Sequence, residues 1–165
     1  MIIIIDFGSQ TTHLIGRRLR EIGIQNTIID PDQTLDFITK NKPQGIILSG
    51  GPGDAYKKNA LTIDSSVFNQ SIPMLGICYG EQVMAHVLGG AVTPGKKKEF
   101  GPAEVTVTSK SPLFQIGDDY LTSVNVWMNH GDEVSKLPTG FKAIGKTDTI
   151  PYAAIANEEH KWYGI

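Results

Sequence analysis

The sequence predicts an α/β fold in which helices flank a mainly parallel sheet and a β-rich second half follows. Short β-branched runs alternate with helical patterns through the first half of the 165 residues, whereas strand-like segments separated by turn residues dominate the second half. The sequence contains no internal repeat or linker. We therefore expect one domain that spans residues 1–165.

The first half has the pattern of parallel strands joined by crossover helices. An uninterrupted apolar run at residues 2–5 predicts a central strand that is covered on both faces. Apolar residues then recur at helical spacing between residues 14 and 22, and Gly23 follows where a helix cap is expected. Further strands are predicted at 24–29, 45–48 and 73–77, and further helical segments at 35–40, 63–68 and 80–88.

Five more strand patterns follow in the second half, at residues 103–108, 124–128, 143–147, 152–156 and 162–165. The last of them looks like the opening of a buried strand. We expect the domain to be C-terminally incomplete, with an exposed sheet edge where a strand is missing.

Charge and composition exclude several classes of function. With a formal net charge of −2 and an isoelectric point near 6.1, the chain has no overall positive field that would attract nucleic acid. No apolar tract of about 18 residues is present, so no membrane span is expected. The opening residues lack a basic leader, and Cys78 is the only cysteine. Both features favour a cytoplasmic location.

Cys78 carries the strongest functional signal. An apolar strand pattern runs into the sequence Gly-x-Cys-x-Gly at residues 76–80 and then directly into a helix pattern. This succession is the thiol counterpart of the Gly-x-Ser-x-Gly nucleophile elbow. Such a turn would hold the sulfur at the carboxyl edge of the sheet and at a helix N-terminus, where the dipole favours the thiolate. A lone cysteine is otherwise often a small buried hydrophobe. Gln82, on the same helix face, could orient a polar substrate or could simply face solvent.

Two other segments combine glycines with polar groups. The closely spaced glycines of residues 49–53 expose backbone N–H groups, which could form an oxyanion hole with the N–H of Tyr79. Taken alone, this segment is more often an ordinary turn. Residues 127–132 are interpreted as a strand end with clustered polar groups, or alternatively as a polar turn. His13 and His86 lie in helical patterns, and we expect surface or packing roles for both.

Together these motifs resemble the class I glutamine amidotransferases. Residues 76–82 match the nucleophile motif of that family, and residues 49–52 match its oxyanion loop. Residues 5–10, 99–101, 127–132 and 156–159 are similar to the branch that serves GMP formation in purine nucleotide biosynthesis. The resemblance covers the whole sequence.

The resemblance implies a flavodoxin-like sheet and an enzyme that hydrolyses L-glutamine to glutamate and ammonia. The Cys78 thiolate would attack the side-chain amide, and the N–H groups of Gly51 and Tyr79 would hold the oxyanion. By the same resemblance, the amino acid end of the substrate would be held by Gln82, Asn129, His130 and Gly131.

The resemblance also implies partners outside these residues. The ammonia would pass to an ATP-pyrophosphatase domain, fused or separate, which uses ATP and Mg to aminate XMP to GMP in an enzyme that is a homodimer. No metal or cofactor is expected within residues 1–165. Neither nucleic acid nor a membrane is an expected partner.

The sequence departs from the family pattern at one place. The family takes its catalytic base from a His-x-Glu motif directly after the segment that corresponds to residues 163–165, and the 165 residues do not contain it. His160 precedes the final strand and His130 belongs to the substrate-side segment, so we expect neither to replace that base. General acid–base help is typically worth about 10²- to 10⁴-fold. We therefore expect these residues by themselves to bind glutamine but to hydrolyse it poorly.

Two other functions stay open at this point. The missing base favours a non-catalytic glutamine-binding or regulatory module, in which a glutamine-directed electrophile would leave Cys78 unlabelled. A cysteine hydrolase of a related fold, acting on peptides or small acyl compounds, is the second alternative.

Overall fold

The structure is a computed structural model that describes the backbone of residues 1–165 and the side chains of all except 96–99 and 130. The strands are β1 (Ile2–Ile5), β2 (Asn26–Ile29), β3 (Gly45–Leu48), β4 (Met74–Gly76), β5 (Ala91–Val107), β6 (Gln115–Ile116), β7 (Asp119–Tyr120), β8 (Ser123–Lys136), β9 (Lys142–Lys146), β10 (Ala154–Asn157) and β11 (Trp162–Gly164). The α-helices are α1 (Thr12–Glu21), α2 (Thr34–Asn41) and α3 (Tyr79–Val87). None of the helices in the described part of the chain has the length and apolar character needed to cross a membrane.

Nine of the strands form one sheet in the order β2-β1-β3-β4-β11-β10-β9-β5-β8. The strands from β2 to β11 in that order are parallel, and those from β11 to β8 are antiparallel. This arrangement confirms the predicted α/β fold with a parallel sheet and a β-rich second half. The expectation of an exposed sheet edge at residues 162–165 is wrong. β11 pairs with both β4 and β10, and the two edge strands of the sheet are β2 and β8.

Helices cover both faces of the parallel strands. Ile3 and Ile5 point into the main core, which also contains Ile38 of α2 and Met84 of α3. Ile4 points the opposite way, towards α1. Burial on both faces explains why β1 is an uninterrupted apolar run. Each fully buried isoleucine contributes about 1.5–3 kcal/mol relative to an exposed one.

The antiparallel half differs most from the sequence prediction. β5 and β8 are much longer than expected, and residues 127–132 lie inside β8 rather than at a strand end. The ladder pairs Pro94 with Asp132 and then Glu99 with His130, so the register shifts beside Gly131. Polar residues are tolerated here because β8 is an edge strand with one face open to solvent, as Trp127 shows with 77% exposure.

Candidate active site

Cys78 occupies a sharp turn between β4 and α3. Its backbone has φ 52° and ψ −110°, a left-handed conformation that non-glycine residues rarely adopt. Hydrogen bonds hold the turn on both sides: Ile77 N–H donates to the Leu48 carbonyl at 2.9 Å, and Cys78 N–H donates to the Ile165 carbonyl at 2.6 Å. A strained residue persists only where its surroundings determine its conformation, at a cost of about 1–3 kcal/mol. The strand, turn and helix expected around Cys78 are therefore present.

The glycines beside the turn are required by close backbone approaches. A Cβ on Gly80 would lie 2.2 Å from the Leu48 carbonyl oxygen, and one on Gly76 would lie 2.7 Å from the Glu81 backbone nitrogen. Neither position leaves room for a side chain. These two residues let α3 start directly against the sheet, with Cys78 at its N-terminus.

The glycine-rich segment at residues 49–53 packs beside this turn. The buried Ser49 hydroxyl accepts from Phe7 N–H at 3.0 Å and donates to the Gly50 carbonyl at 2.8 Å. A Cβ on Gly51 would lie 2.6 Å from the Phe7 carbonyl oxygen and 3.2 Å from the Tyr79 ring. The segment is thus fixed against Tyr79, the residue that follows Cys78. The backbone N–H of Tyr79 donates to the Cys78 sulfur.

A cavity of about 170 Å³ opens beside the sulfur. Cys78 Sγ lies 4.0 Å from the Asn129 carbonyl oxygen of β8, and the buried Gln82 Nε2 donates to the Asp132 carbonyl at 3.1 Å. Most of the cavity wall is apolar, and its polar side chains include those of Cys78, Glu81, Gln82, Asn129, Asp132, Glu133 and Tyr152. Pockets for drug-sized ligands are larger, about 300–1,000 Å³, so this cavity suits a ligand of amino acid size.

The structure brings together some of the predicted site residues but not all of them. Cys78, Gln82 and Asn129 line the cavity. Within the described part of the chain, Gly51, Tyr79 and Gly131 do not line it; the backbone N–H of Tyr79 reaches the sulfur, and Gly51 packs against the Tyr79 ring. The side chain of His130 lies outside the described residues.

The protonation of Cys78 differs from the expectation. Burial raises the pKa of the thiol above its usual value, the N–H of Tyr79 lowers it, and the negative charge of Glu81 raises it further. The helix N-terminus was expected to favour the thiolate. The backbone N–H of Tyr79 at this N-terminus does donate to the sulfur, but desolvation of the sulfur is the larger effect. The pKa of the thiol is therefore raised.

We expect this shift to appear in the alkylation of Cys78 by iodoacetamide. Because only the thiolate reacts, the rate should rise with pH to a midpoint above that of a free cysteine thiol. Pseudo-first-order rates between pH 6 and pH 11, measured beside N-acetylcysteine, test this expectation. A midpoint at or below that of the free thiol would contradict it.

Glu81 is a further residue of the cavity wall, and no motif in the sequence singles it out. It lies in the first turn of α3 and is 8% exposed, and no described residue donates a hydrogen bond to its Oε1. Burial raises the pKa of this carboxyl well above its usual value. An acidic residue between Gly80 and Gln82, in a helix turn that a nucleophile elbow must bury, was the signal available in the sequence.

The raised pKa of Glu81 predicts a specific pH dependence of stability. The folded protein holds this proton more tightly than the unfolded chain does, so the contribution is complete below pH 4.5 and is lost as pH rises towards the folded-state pKa. We expect Glu81→Gln to remove this loss, whereas Glu159→Gln, at an exposed position, should not. Urea unfolding at several pH values measures the effect. Parallel pH curves for the wild-type protein and Glu81→Gln would disprove it.

No described histidine lines the cavity. His13 and His86 are exposed on α1 and α3, and His160 stacks on the Trp162 ring with 4.4 Å between ring centroids. Among the described side chains, no group of three histidine, cysteine or acidic residues is placed to hold a metal ion.

The fold and the elbow define a class of protein. A nucleophilic side chain held between a parallel strand and a helix N-terminus is the arrangement of α/β proteins that attack carbonyl groups. The sequence model of the glutamine amidotransferase class-I family matches residues 3–165. The chain belongs to that family.

Sequence relatives include GMP synthases. The chain is 49% identical over 164 residues to the GMP synthase [glutamine-hydrolyzing] of Neisseria meningitidis serogroup C / serotype 2a, and 46% identical to that of Vibrio vulnificus strain YJ016. Each alignment covers 99% of this chain and 31% of the relative. The chain therefore spans about a third of the length of these curated relatives.

Solved structures agree with this placement. A Thermoplasma acidophilum protein, provisionally assigned as one subunit of a GMP synthase, superposes with a TM-score of 0.82 at 27% identity, covering 99% of this chain and 80% of the other. A Thermotoga maritima glutamine amidotransferase superposes with a TM-score of 0.76 at 22% identity, covering 99% of this chain and 73% of the other. The second likeness supports the fold alone.

Proposed function

We propose that the chain is the glutaminase part of a GMP synthase and hydrolyses L-glutamine to glutamate and ammonia. One observation carries this proposal above the others. Cys78 stands at a strained elbow and its side chain lines a cavity of amino acid size that Gln82 and Asn129 also line. The family membership and the relatives named GMP synthase support the same assignment.

In the proposed reaction, the Cys78 sulfur attacks the carboxamide carbon of glutamine. The carbonyl oxygen becomes an oxyanion, which accepts hydrogen bonds from the backbone N–H groups of Tyr79 and Gly51; one such donor is worth about 2.7–4 kcal/mol in a protease. The C–N bond breaks, the nitrogen takes up the proton that the Cys78 thiol has lost and leaves as ammonia, and a γ-glutamyl thioester remains on Cys78. Water then hydrolyses the thioester, which releases glutamate and restores the thiol.

The amino acid end of glutamine is assigned to the β8 side of the cavity. Gln82 Nε2 already donates to the Asp132 carbonyl, so its Oε1 is the atom available to accept from a ligand N–H group. Asn129, His130 and Gly131 continue this side of the proposed binding site. The register shift beside Gly131 alters the local ladder, a feature that often re-aims backbone and side-chain groups near functional sites.

We place the use of the ammonia outside these residues. A synthetase domain, fused or separate, would aminate XMP with ATP and Mg, in a homodimeric cytoplasmic enzyme. The relatives' names and their roughly threefold greater length support this assignment. Residues 1–165 would form the glutaminase domain of that assembly.

Turnover by these 165 residues alone is expected to be slow. No described histidine lines the cavity, and the leaving ammonia needs a proton. The missing acid–base help would reduce the rate by about 10²- to 10⁴-fold relative to a glutaminase that has it. Turnover near one per second or faster, within the typical range for enzymes of about 1–10³ per second, would refute this expectation.

The proposed function is tested by incubating the protein with L-glutamine over hours and measuring glutamate and ammonia. We expect equal amounts of the two products and no aspartate from L-asparagine, whose carboxamide is one methylene too short to reach Sγ from the same amino acid subsite. Absence of glutamate above the background of a Cys78→Ala variant would refute the proposed hydrolysis.

A non-catalytic glutamine-binding module is the second candidate. The raised pKa of the Cys78 thiol and the lack of a described histidine in the cavity wall favour it. It predicts that L-glutamine binds and is recovered unchanged.

A further inference from the structure

We propose that the side chain of Tyr79 is a positioning residue for the hydrolysis. In this role, its ring and hydroxyl hold the glycine-rich segment of residues 49–53 at the distance from the Cys78 sulfur that oxyanion binding requires. The inference rests on the proposed glutaminase function. It concerns the side chain of Tyr79, whereas the reaction proposed above uses only the backbone N–H of that residue.

The first argument is that the Tyr79 ring lies along the glycine-rich segment. The side chain is almost fully buried. A Cβ on Gly51 would lie 3.2 Å from ring carbon Cδ1, and a Cβ on Gly53 would lie 3.3 Å from Cε2 on the opposite side of the ring. The ring therefore packs against both ends of the turn that carries the Gly51 N–H. Because Tyr79 directly follows Cys78, its ring relates the position of this turn to that of the nucleophile.

The second argument is that Gly51 is confined by a second aromatic residue. A Cβ on Gly51 would lie 2.6 Å from the Phe7 carbonyl oxygen, and the Phe7 N–H donates to the buried Ser49 hydroxyl at 3.0 Å. The Phe7 and Tyr79 rings pack edge to face, with 5.4 Å between their centroids. Phe7 thus fixes Gly51 relative to the sheet, and Tyr79 fixes it relative to the elbow. A smaller side chain at position 79 would leave a gap into which the glycine-rich segment can move.

The third argument is the hydrogen bond of the Tyr79 hydroxyl. This hydroxyl donates to the Leu61 carbonyl at 2.8 Å. Residues 54–64 follow the glycine-rich segment without a helix or strand, and the Leu61 side chain is 54% exposed, so its burial does little to hold this loop. The hydroxyl therefore ties the far end of the loop to the elbow, while the ring holds the near end.

This arrangement predicts an effect on the rate rather than on substrate binding. Neither Tyr79 nor Gly51 lines the cavity beside the sulfur, so the ring has no contact with bound glutamine. The Gly51 N–H is needed only when the carbonyl oxygen becomes an oxyanion. A group that acts only in the transition state changes kcat and leaves KM unchanged, and KM reports binding when the chemical step is slow.

Two variants of Tyr79 and two controls test the proposal by hydrolysis of L-glutamine over hours. Tyr79→Leu removes the ring, and Tyr79→Phe removes only the hydroxyl. Phe68→Leu makes a similar change at a buried aromatic residue of the main core that does not line the cavity. Tyr163→Phe removes a hydroxyl that donates to Glu158 Oε2 at 2.9 Å. Each rate is divided by the fraction of folded protein, which is taken from melting curves.

We expect Tyr79→Leu to lower kcat about 10²-fold, because misplacing a group that acts in the reaction by about 1 Å can cost that much. Tyr79→Phe should lower kcat about threefold, which is within the value of one neutral hydrogen bond. The KM for L-glutamine should change less than about twofold in both variants. Phe68→Leu and Tyr163→Phe should change neither constant. If Tyr79→Leu does not melt cooperatively, the comparison of Tyr79→Phe with Tyr163→Phe carries the test.

An unchanged kcat in the Tyr79 variants, or an equal fall in the matched controls, would overturn the positioning role and leave the proposed function intact. A raised KM with an unchanged kcat would also overturn it, since the side chain would then act on substrate binding. If the wild-type protein yields no glutamate above the Cys78→Ala background, the proposed function fails and this inference fails with it.

Discussion

Replacement of Cys78 by alanine is expected to reduce glutamate production from L-glutamine by about 10⁴-fold or more, because loss of a covalent nucleophile removes the reaction path itself. The substitution leaves the pocket almost unchanged. Alanine can occupy the same left-handed backbone at a cost similar to that of cysteine, and the N–H of residue 78 still donates to the Ile165 carbonyl.

The control for Cys78→Ala is binding. Glutamine affinity and the melting temperature should both stay close to the values of the wild-type protein. Residual glutamate production within tenfold of wild type would show that another group attacks the amide. A lost melting transition would instead show that the sulfur is a structural part of the core.

The largest expected effect on stability is that of Gly80→Ala. The new Cβ would lie 2.2 Å from the Leu48 carbonyl oxygen and 2.6 Å from its carbonyl carbon, both backbone atoms of β3. Backbone in the middle of a paired sheet cannot move aside, so α3 must shift away from the strands. Overpacking typically costs about 1–3 kcal/mol, and this contact, with fixed backbone on both sides, is expected to exceed 3 kcal/mol.

Gly50→Ala is the matched control, since its Cβ would find its nearest neighbour at 3.5 Å and its backbone needs no positive φ. Urea unfolding of the two variants measures the difference. We expect Gly80→Ala to be largely insoluble or to unfold at much lower urea, and Gly50→Ala to change little. Equal midpoints for both variants would mean that α3 is not held against β3 as the structure describes.

The elbow could be predicted from sequence because its signal is local. The glycines, the apolar strand before Cys78 and the helix after it all lie within residues 72–90, and the structure has the same succession. The parallel strands of the first half were equally clear, because strands that are buried on both faces are apolar throughout.

The long ribbon of β5 and β8 could not be predicted in the same way. An edge strand needs only one apolar face, and the polar residues around Gly131 have the composition of a turn. What keeps this segment extended is its pairing with residues about 30 positions earlier, such as Phe100 opposite Asn129. Pairing across that distance leaves no local pattern.

The face of α1 that packs against the sheet could not be predicted from the sequence, for a different reason. Apolar periodicity predicts the helix but not the face that packs. Leu14 and Ile22 are 48% and 70% exposed, whereas Thr12 and Gly16 are buried. A small residue faces the sheet because a Cβ on Gly16 would already lie 2.9 Å from Asn26 Oδ1.

The chemistry of the candidate site was the least predictable part. The motifs single out Cys78 and Gln82, which both line one cavity, but the upward shifts of the Cys78 and Glu81 pKa values depend on burial by β8 and β11. Both strands are far from the elbow in sequence. Such effects follow only from the assembled fold.

Mass spectrometry after treatment with 6-diazo-5-oxo-L-norleucine, an electrophile that has the amino acid end of glutamine, is the most direct test of whether this sulfur attacks a glutamine side chain. We expect a single adduct on the peptide that contains Cys78, with a rate that falls when L-glutamine is added. An unmodified Cys78 in protein that iodoacetamide still alkylates, or labelling that L-glutamine does not slow, would contradict the assignment.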